Sequence, residues 1–267
     1  MIPLKYFSVT TLSALLSATA VQAGVLEAWT FSEGDGTGIN NTLSDLNTRF
    51  GPAASGNASV QAGALQFGYD GSTGSIFQGQ GFAGSVGSLS SGVYDISWTF
   101  TSASFTSGTT LASVGFAFTD RVDTTGDLGQ LELRYDAGTF GLRFDDAVVG
   151  AGTPIAGFSV SANTLAALAI TVRIDLDNAG TAGSFQIGYQ YDADPFIWAV
   201  TDGTAVAGLT LDGYEIQQQA TIGERDWVAG DTVTIDNFTL SQVPEPSTYA
   251  AYAGVLALGV AALRRRR

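Results

Sequence analysis

The sequence predicts an all-β protein in which two antiparallel sheets pack face to face. Apolar and polar residues alternate with period two along many segments, Gly- and Asp-rich turns separate these segments, and helical periodicity is almost absent from the middle of the chain. Aromatic residues make up 11% of the chain, which is typical of a folded β-protein rather than a disordered one. We therefore expect a two-sheet sandwich.

The clearest predicted strands each carry one apolar face. Residues 93–100, 111–118, 169–176 and 184–191 all place apolar side chains at alternate positions. The predicted inward residues are Tyr94, Ile96, Trp98 and Phe100; Ala112, Val114, Phe116 and Phe118; Ile170, Val172, Ile174 and Leu176; and Phe185, Ile187, Tyr189 and Tyr191. A half-buried strand has this period because successive side chains point to opposite faces of the sheet.

Turn chemistry connects several of these strands. Residues 136–138 (Asp-Ala-Gly) are predicted to close a hairpin, and residues 177–180 (Asp-Asn-Ala-Gly) a second one. The paired apolar residues of the first hairpin are Leu131, Leu133 and Tyr135 opposite Phe140, Leu142 and Phe144. In residues 232–240 the apolar side switches between Ile235 and Phe238, which predicts a bulge at residues 236–237.

The N-terminal segment predicts a signal peptide over residues 1–23. Lys5 precedes an apolar region around residues 12–21, and small residues suit cleavage between Ala23 and Gly24. Thr and Ser residues interrupt this apolar run, which argues against a transmembrane helix. The predicted β-sandwich domain therefore spans residues 24–242.

Residues 243–267 form a third segment with three parts. A Pro-Glu-Pro motif comes first, an apolar run over residues 249–263 follows, and four arginines come last. The residues of the motif and the basic end are Pro244, Glu245 and Pro246, then Arg264, Arg265, Arg266 and Arg267. As a helix the run would cover about 22 Å of the ~30 Å hydrocarbon core. We predict a short transmembrane helix with the arginines on the cytoplasmic side.

This arrangement resembles the PEP-CTERM sorting signal of Gram-negative bacteria. The resemblance implies that an exosortase, a membrane-embedded transpeptidase, recognises the chain as its substrate. It also implies transient insertion into the inner membrane, removal of the helix, and delivery to the cell surface or the exopolysaccharide matrix. The alternative is a permanent membrane anchor, although a short span containing Gly254 and Gly259 would anchor poorly.

The start of the domain carries a second resemblance. Residues 25–37 (VLEAWTFSEGDGT) and 63–67 (GALQF) resemble the opening of laminin-G-like, concanavalin-A-like jelly rolls. The matching residues are Trp29, Phe31, Glu33, Gly34, Gly36 and Thr37, then Gly63, Leu65 and Phe67. The resemblance implies a jelly roll whose closing strand, over residues 232–240, pairs near the first strand.

Composition limits the chemistry that this chain can perform. It contains no Cys and no His, so disulfides and histidine-based catalysis or metal binding are excluded. Its formal net charge of −14 disfavours a nucleic-acid partner, because phosphates repel an acidic surface.

No catalytic motif stands out, and we expect the domain not to be an enzyme. Gly-x-Ser-x-Gly and zinc motifs are missing, and so is the Glu-x-Asp-x-Glu-like strand that the jelly-roll resemblance would imply for a retaining hydrolase. The nearest candidate strand carries Glu132, Arg134 and Asp136, which we interpret as a solvated face. Two alternatives stay open: a glycoside hydrolase-like enzyme on the concanavalin-like fold, and a structural matrix protein without a specific ligand.

Acidic loops make calcium the one candidate cofactor. Asp120, Asp123 and Asp127 form the best cluster, because Asp-rich loops at the end of a sandwich can supply the hard oxygens that calcium needs. Further acidic groups are Asp175 with Asp177 and Asn178, Asp192 with Asp194, and Asp145 with Asp146. The alternative interpretation is that these residues stabilise turns.

Two tryptophans are candidates for stacking on a sugar ring. Trp198 and Trp227 both have polar, loop-like surroundings, whereas Trp29 and Trp98 lie in alternating strands and are predicted core residues. The alternative for both candidates is a core or rim aromatic. The sequence thus predicts a secreted binding or structural protein of the cell surface or extracellular matrix, with extracellular polysaccharide as its candidate ligand.

Overall fold

The structure is a computed structural model that describes residues 24–29, 31, 58–68, 76–81, 86–106, 108–119, 127–148, 152–218 and 227–244. The chain divides into two units, one of residues 25–242 and one of residues 1–24 with 243–267, and nearly all described residues belong to the first. The predicted signal peptide and the apolar run over residues 249–263 lie outside the described residues. Within the described residues, no helix is long and apolar enough to cross a membrane.

Fifteen strands, and no helix, form within the described residues. In chain order they are β1 (Gly24–Trp29), β2 (Ala58–Gln61), β3 (Ala64–Gly68), β4 (Ile76–Gly81), β5 (Val93–Ser104), β6 (Leu111–Thr119), β7 (Asp127–Asp136), β8 (Thr139–Asp145), β9 (Thr153–Ser161), β10 (Thr164–Leu165), β11 (Leu168–Asp175), β12 (Phe185–Tyr191), β13 (Ile197–Gly203), β14 (Gly213–Gln218) and β15 (Thr232–Val243).

These strands make two sheets, which confirms the predicted antiparallel sandwich. The large sheet has nine strands in the order β13-β12-β11-β5-β15-β3-β2, with β1 paired to β15 and β10 paired to β5. The small sheet has six strands in the order β4-β14-β6-β7-β8-β9. The β11–β12, β11–β5, β6–β7 and β7–β8 pairs are all antiparallel. The closing strand β15 pairs with the first strand β1, as the jelly-roll resemblance implied.

The core lies between the inner faces of the two sheets, and Trp98 is at its centre. Trp98 of β5 is 1% exposed, and its ring centroid lies 4.3 Å from that of Phe116 in β6. It also contacts Phe118 of the small sheet and Phe238 of β15. The predicted inward residues of the four alternating segments are buried, except that Tyr191 is only partly buried. The side chain of Trp29 is not among those described.

The predicted turns are confirmed in part. The β7–β8 hairpin closes at Ala137 and Gly138, both with positive φ, and pairs the predicted apolar residues across the two strands. In β15, Asn237 has φ of 57°, so that Ile235 and Phe238 both reach the core, as the predicted bulge requires. The connection between β11 and β12 is longer than the predicted four-residue turn, because β11 ends at Asp175 and β12 begins at Phe185.

Two buried carboxylates hold loops against the sandwich. Asp231 is 0% exposed and accepts hydrogen bonds from the backbone nitrogens of Thr106 and Val228. Asp146 is 7% exposed and accepts one from the backbone nitrogen of Thr204 at 2.7 Å. Backbone donors that strands leave unpaired are satisfied in this way, so these two acids have structural roles.

Candidate functional site

Two aromatic side chains stand exposed at the edge of the large sheet. Phe196 is 42% exposed and Trp198 is 36% exposed, and no other aromatic side chain is as exposed among those whose burial the structure describes. Their ring centroids lie 5.3 Å apart with the planes at 86°, an edge-to-face contact. We call this pair the aromatic ridge. It lies at the start of the edge strand β13, where no further strand of the sheet covers it.

A glycine in the neighbouring strand makes room for the ridge. Gly188 of β12 pairs with Trp198 in the sheet register. A Cβ atom on Gly188 would lie 2.3 Å from Phe196 Cζ and 3.1 Å from the carbonyl oxygen of Ile197. The Phe196 ring therefore packs directly on the backbone of β12, where a side chain of any size would displace it.

An ion pair between β11 and β5, on the far side of β12 from β13, supports Trp198. Arg173 of β11 donates from Nε to Asp95 Oδ1 at 2.7 Å and from Nη2 to Asp95 Oδ2 at 2.8 Å. The Arg173 Cζ atom lies 4.8 Å from the centroid of the Trp198 ring, a cation–π contact. The hydrogen bond to Asp95 raises the pKa of Arg173 above its usual value despite the opposing effect of burial. The guanidinium is thus a fixed positive charge against the indole.

Hydroxyl and amide groups continue this outer face across the large sheet. The hydroxyls of Ser97 and Thr171 lie 3.0 Å apart on β5 and β11. Gln186 Nε2 of β12 donates to the carbonyl oxygen of Thr201 at 3.4 Å. Uncharged groups that both donate and accept hydrogen bonds thus lie beside the ridge. The surface combines an aromatic face, a fixed cation and neutral polar groups.

The structure separates the two tryptophans that the sequence treated alike. Trp198 belongs to the exposed ridge, whereas Trp227 is 4% exposed and packs edge-on against Phe105 with ring centroids 5.2 Å apart. The core interpretation therefore holds for Trp227, which cannot stack on a ligand from its buried position. Its Nε1 donor has no hydrogen-bond partner among the described residues. Burying this unsatisfied donor reduces the stability that the Trp227 ring contributes to the core.

The acidic clusters are mostly engaged in local hydrogen bonds. Asp127 begins β7 and accepts from Gln130 Nε2 at 2.9 Å, while Asp120 and Asp123 lie outside the described residues. Asp175 accepts from the backbone and side-chain nitrogens of Asn178. Asp177 accepts from the backbone nitrogen of Gly92. No group of three or more metal-binding side chains occurs within the described part of the chain, and the calcium site stays a prediction.

The predicted sorting residues fall almost entirely outside the described residues. Gly24 begins β1 and Pro244 follows β15 directly. The others, Ala23, Glu245, Pro246, Arg264, Arg265, Arg266 and Arg267, are not described, and the sorting signal stays a prediction.

The charged side chains of β7 that the sequence analysis named point to the outer face of the small sheet. Glu132, Arg134 and Asp136 alternate with the buried residues of β7. Arg134 Nη2 lies 3.7 Å from Asp136 Oδ2, beyond hydrogen-bond distance. Arg134 and Asp136 line an open groove of about 360 Å³ between β8 and β9, which we call the β8–β9 groove.

Sequence reasoning missed most of the residues that build the ridge. Phe196 and Gly188 were not singled out, and the contact between Arg173 and Asp95 joins positions 78 residues apart. One signal was available: Phe196, Ile197 and Trp198 form a short apolar run after the acidic turn at residues 192–194, where the alternating pattern does not bury them.

Comparison with known proteins finds structural neighbours of low sequence identity. No protein-family model matches the sequence, and no curated protein does. Among solved structures, an alginate lyase is 14% identical with a TM-score of 0.49, covering 82% of this chain and 98% of that one. A β-glucanase catalytic domain from Podospora anserina is 13% identical with a TM-score of 0.42, covering 68% and 73%. A lichenase from a mouse hindgut metagenome is 11% identical with a TM-score of 0.42, covering 78% and 97%.

These neighbours correct one prediction. We expected the domain not to be an enzyme, whereas the similar structures include alginate lyases and glucanases, which are enzymes. The prediction relied on the absence of histidine, serine and zinc motifs and of a Glu-x-Asp-x-Glu-like strand, and these absences do not exclude catalysis by other side chains. At 11–14% identity the likeness concerns the fold and does not identify a substrate.

Proposed function

We propose that residues 24–242 form a carbohydrate-active domain that binds polysaccharide at the aromatic ridge. The observation that carries this proposal is that Trp198 is exposed and yet held in place by Arg173 and by the packing of Phe196. An aromatic side chain that is both exposed and fixed can bind a ligand with little further loss of side-chain conformational entropy.

The chemistry of the ridge suits a sugar ring. The C–H face of a pyranose packs on an indole or phenyl ring, and its hydroxyls bind neutral donors and acceptors at the rim. Burying one such aromatic side chain contributes roughly 1.5–3 kcal/mol, which corresponds to about a ten- to hundredfold change in Kd. The adjoining hydroxyl and amide groups extend the surface along the sheet, which favours a polymer over a single sugar.

Substitution of Trp198 tests this function. We expect Trp198→Ala in the full-length protein to weaken binding to soluble polysaccharides at least tenfold, measured by affinity electrophoresis against neutral β-glucans and acidic polymers. Val148→Ala, which truncates a side chain that is 73% exposed elsewhere, should leave binding unchanged. Release of new sugar ends, followed in the same samples, reports whether the bound chain is also cleaved. Equal binding by wild type and Trp198→Ala would refute the proposal that polysaccharide binds at the aromatic ridge.

We also propose that the protein is exported and sorted in a Gram-negative bacterium. The ordered Pro-Glu-Pro motif, apolar run and arginines support recognition by an exosortase, and Lys5 with the apolar region after it supports a signal peptide. The protein would pass through the inner membrane and reach the cell surface or extracellular matrix, where polysaccharide is abundant.

Intact-mass analysis of the protein from cell fractions of its native host tests this second proposal. A surface or matrix species that lacks residues 1–23 and the segment after Pro246 is the expected result. A membrane species that retains Arg264–Arg267 would contradict it and indicate a permanent anchor.

A further inference from the structure

The β8–β9 groove exists because the pairing between β9 and β8 is interrupted over four residues of β9. Gly141 of β8 pairs with Ser159 of β9, and Arg143 pairs with Pro154. One residue of β8, Leu142, therefore lies opposite residues 155–158 of β9. These four residues form a large irregular bulge, in which Gly157 has φ of +90°. The two strands separate there and enclose a groove of about 360 Å³.

Core packing fixes this bulge. Ile155 and Phe158 are 3% and 6% exposed, so the bulged residues are anchored in the interior rather than free to move. The Phe158 ring packs edge-on against Tyr189 and Tyr191 of β12, with centroids 5.2 Å and 5.9 Å away. The groove is consequently a permanent part of the sandwich, with Pro154, Ile155 and Phe158 in its lining.

Two arginines line the groove and keep donors free. Only three arginines lie within the described residues, and two of them, Arg134 and Arg143, are here. Arg134 Nε is buried and has no hydrogen-bond partner among the described residues. Arg143 forms neither an ion pair nor a side-chain hydrogen bond within the same residues. The Nε atom of Arg134 is enclosed by the protein, so a ligand in the groove would accept hydrogen bonds from the terminal nitrogens of the two guanidinium groups instead.

We infer that the β8–β9 groove binds the carboxylate of an acidic sugar unit, such as a uronic acid, within a polysaccharide. Guanidinium donors match the two oxygens of a carboxylate, and the apolar lining suits the C–H face of a sugar ring. This inference rests on the proposed function and names the class of polysaccharide, at a surface separate from the aromatic ridge.

One residue of the groove acts against such a ligand. Asp136 lines the same groove and its side chain is 63% exposed, so its charge opposes a second carboxylate there. Removing that charge should therefore strengthen binding of an acidic polymer. Asp202→Asn makes the same change of net charge in β13 of the other sheet, so a gain of affinity confined to Asp136→Asn would locate the acidic ligand near Asp136.

Pairs of polymers that differ only in esterification of the carboxylate measure the contribution of that carboxylate to binding. We would compare polygalacturonate with its methyl-esterified form, and alginate with its propylene glycol ester, by affinity electrophoresis of the full-length protein. Wild type is expected to bind at least one acidic form about tenfold more tightly than its ester. Arg143→Gln and Arg134→Gln should each remove most of this preference, and Asp136→Asn should increase it. Thermal unfolding of each variant shows whether it is folded, and Arg143 offers the safer site because it forms no ion pair and no side-chain hydrogen bond within the described residues.

The outcomes separate this inference from the proposed function. One outcome is that wild type binds the acidic polymer and its ester equally, while Trp198→Ala still loses binding. That result would contradict carboxylate binding in the β8–β9 groove and would support polysaccharide binding at the aromatic ridge. A preference for the acid that survives both arginine substitutions also overturns the groove. Absence of all polymer binding overturns both. Binding of free galacturonate or acetate as tightly as the polymer would show a site for small acids and contradict the polysaccharide assignment.

Discussion

The aromatic ridge and the β8–β9 groove both lie at sheet edges and both use arginine, but in opposite ways. Arg173 gives both of its fork hydrogen bonds to Asp95 and presents its face to Trp198. Arg134 and Arg143 keep donors that no described residue accepts. A guanidinium whose fork is filled by a carboxylate supports an aromatic side chain, while one that keeps free donors can bind an anion. Among the described residues, Arg143 keeps its donors free, and Arg134 makes only a 3.7 Å ion pair with Asp136.

Glycine shows the same contrast at the two surfaces. The space where Gly188 would carry a Cβ atom is filled by the Phe196 ring, 2.3 Å away. Gly141, which lines the groove, has no atom within 4 Å of its Cβ position. One glycine lets the protein pack on itself, and the other leaves space that the protein does not fill.

The largest effect should come from the core that both surfaces share. Trp98→Ala is expected to lower the free energy of unfolding by about 3–5 kcal/mol, because Trp98 joins the two sheets through Phe116 and Phe118. Urea unfolding measures the loss. Trp98→Phe keeps an aromatic ring and removes an Nε1 donor that has no partner among the described residues, so it should cost much less. Equal losses of stability in the two variants would contradict the idea that aromatic packing at position 98 joins the two sheets.

The two glycines give the next largest effect and test the contrast directly. Gly188→Ala is expected to cost about 1–3 kcal/mol, because Phe196 must leave its position, and to weaken polysaccharide binding at the ridge. Gly141→Ala should be neutral or slightly stabilising, since its site is open. Thermal unfolding of the two variants decides this. If both alanines were equally tolerated, the packing of Phe196 on β12 would be too loose to fix the ridge.

The smallest effect concerns Asp145, in the same strand as Arg143. Burial raises the pKa of Asp145 above its usual value, and the charge of Asp146 raises it further. Its protonated form therefore adds stability below the unfolded pKa, and that stability is lost as the pH rises through the folded pKa. Asp145→Asn should raise Tm relative to wild type at about pH 7 and match wild type at about pH 3.

The control for this pH effect lies on the other sheet. Asp202→Asn, at an exposed position in β13, makes the same change of net charge. An increase in Tm of equal size in both variants would mean that net charge, and not the surroundings of Asp145, is responsible.

Sequence patterns predicted the inward faces well and the outer surfaces poorly, for a physical reason. Alternation within one strand shows which side chains share a face, so Trp98 and its neighbours in β5 could be assigned to the core. It does not show which strands are adjacent, so the pairing of Arg173 with Asp95 could not be predicted. Trp198 and Trp227 have similar local sequences, and only the packing of Phe105 on Trp227 separates them. The large irregular bulge in β9 likewise depends on Phe158 meeting two tyrosines from the other sheet.

The position of β15 has a consequence for the order of folding. This strand is the last of the described strands to be synthesised, yet it lies in the interior of the large sheet between β5 and β3. Gln66 of β3 donates to Thr234 of β15 across a separation of 168 residues. Until β15 emerges from the ribosome, the sheet is left as two halves with open edges, and the loop that must close is long. Folding of this sandwich is therefore a slow, late event that any chain shortened before β15 cannot complete.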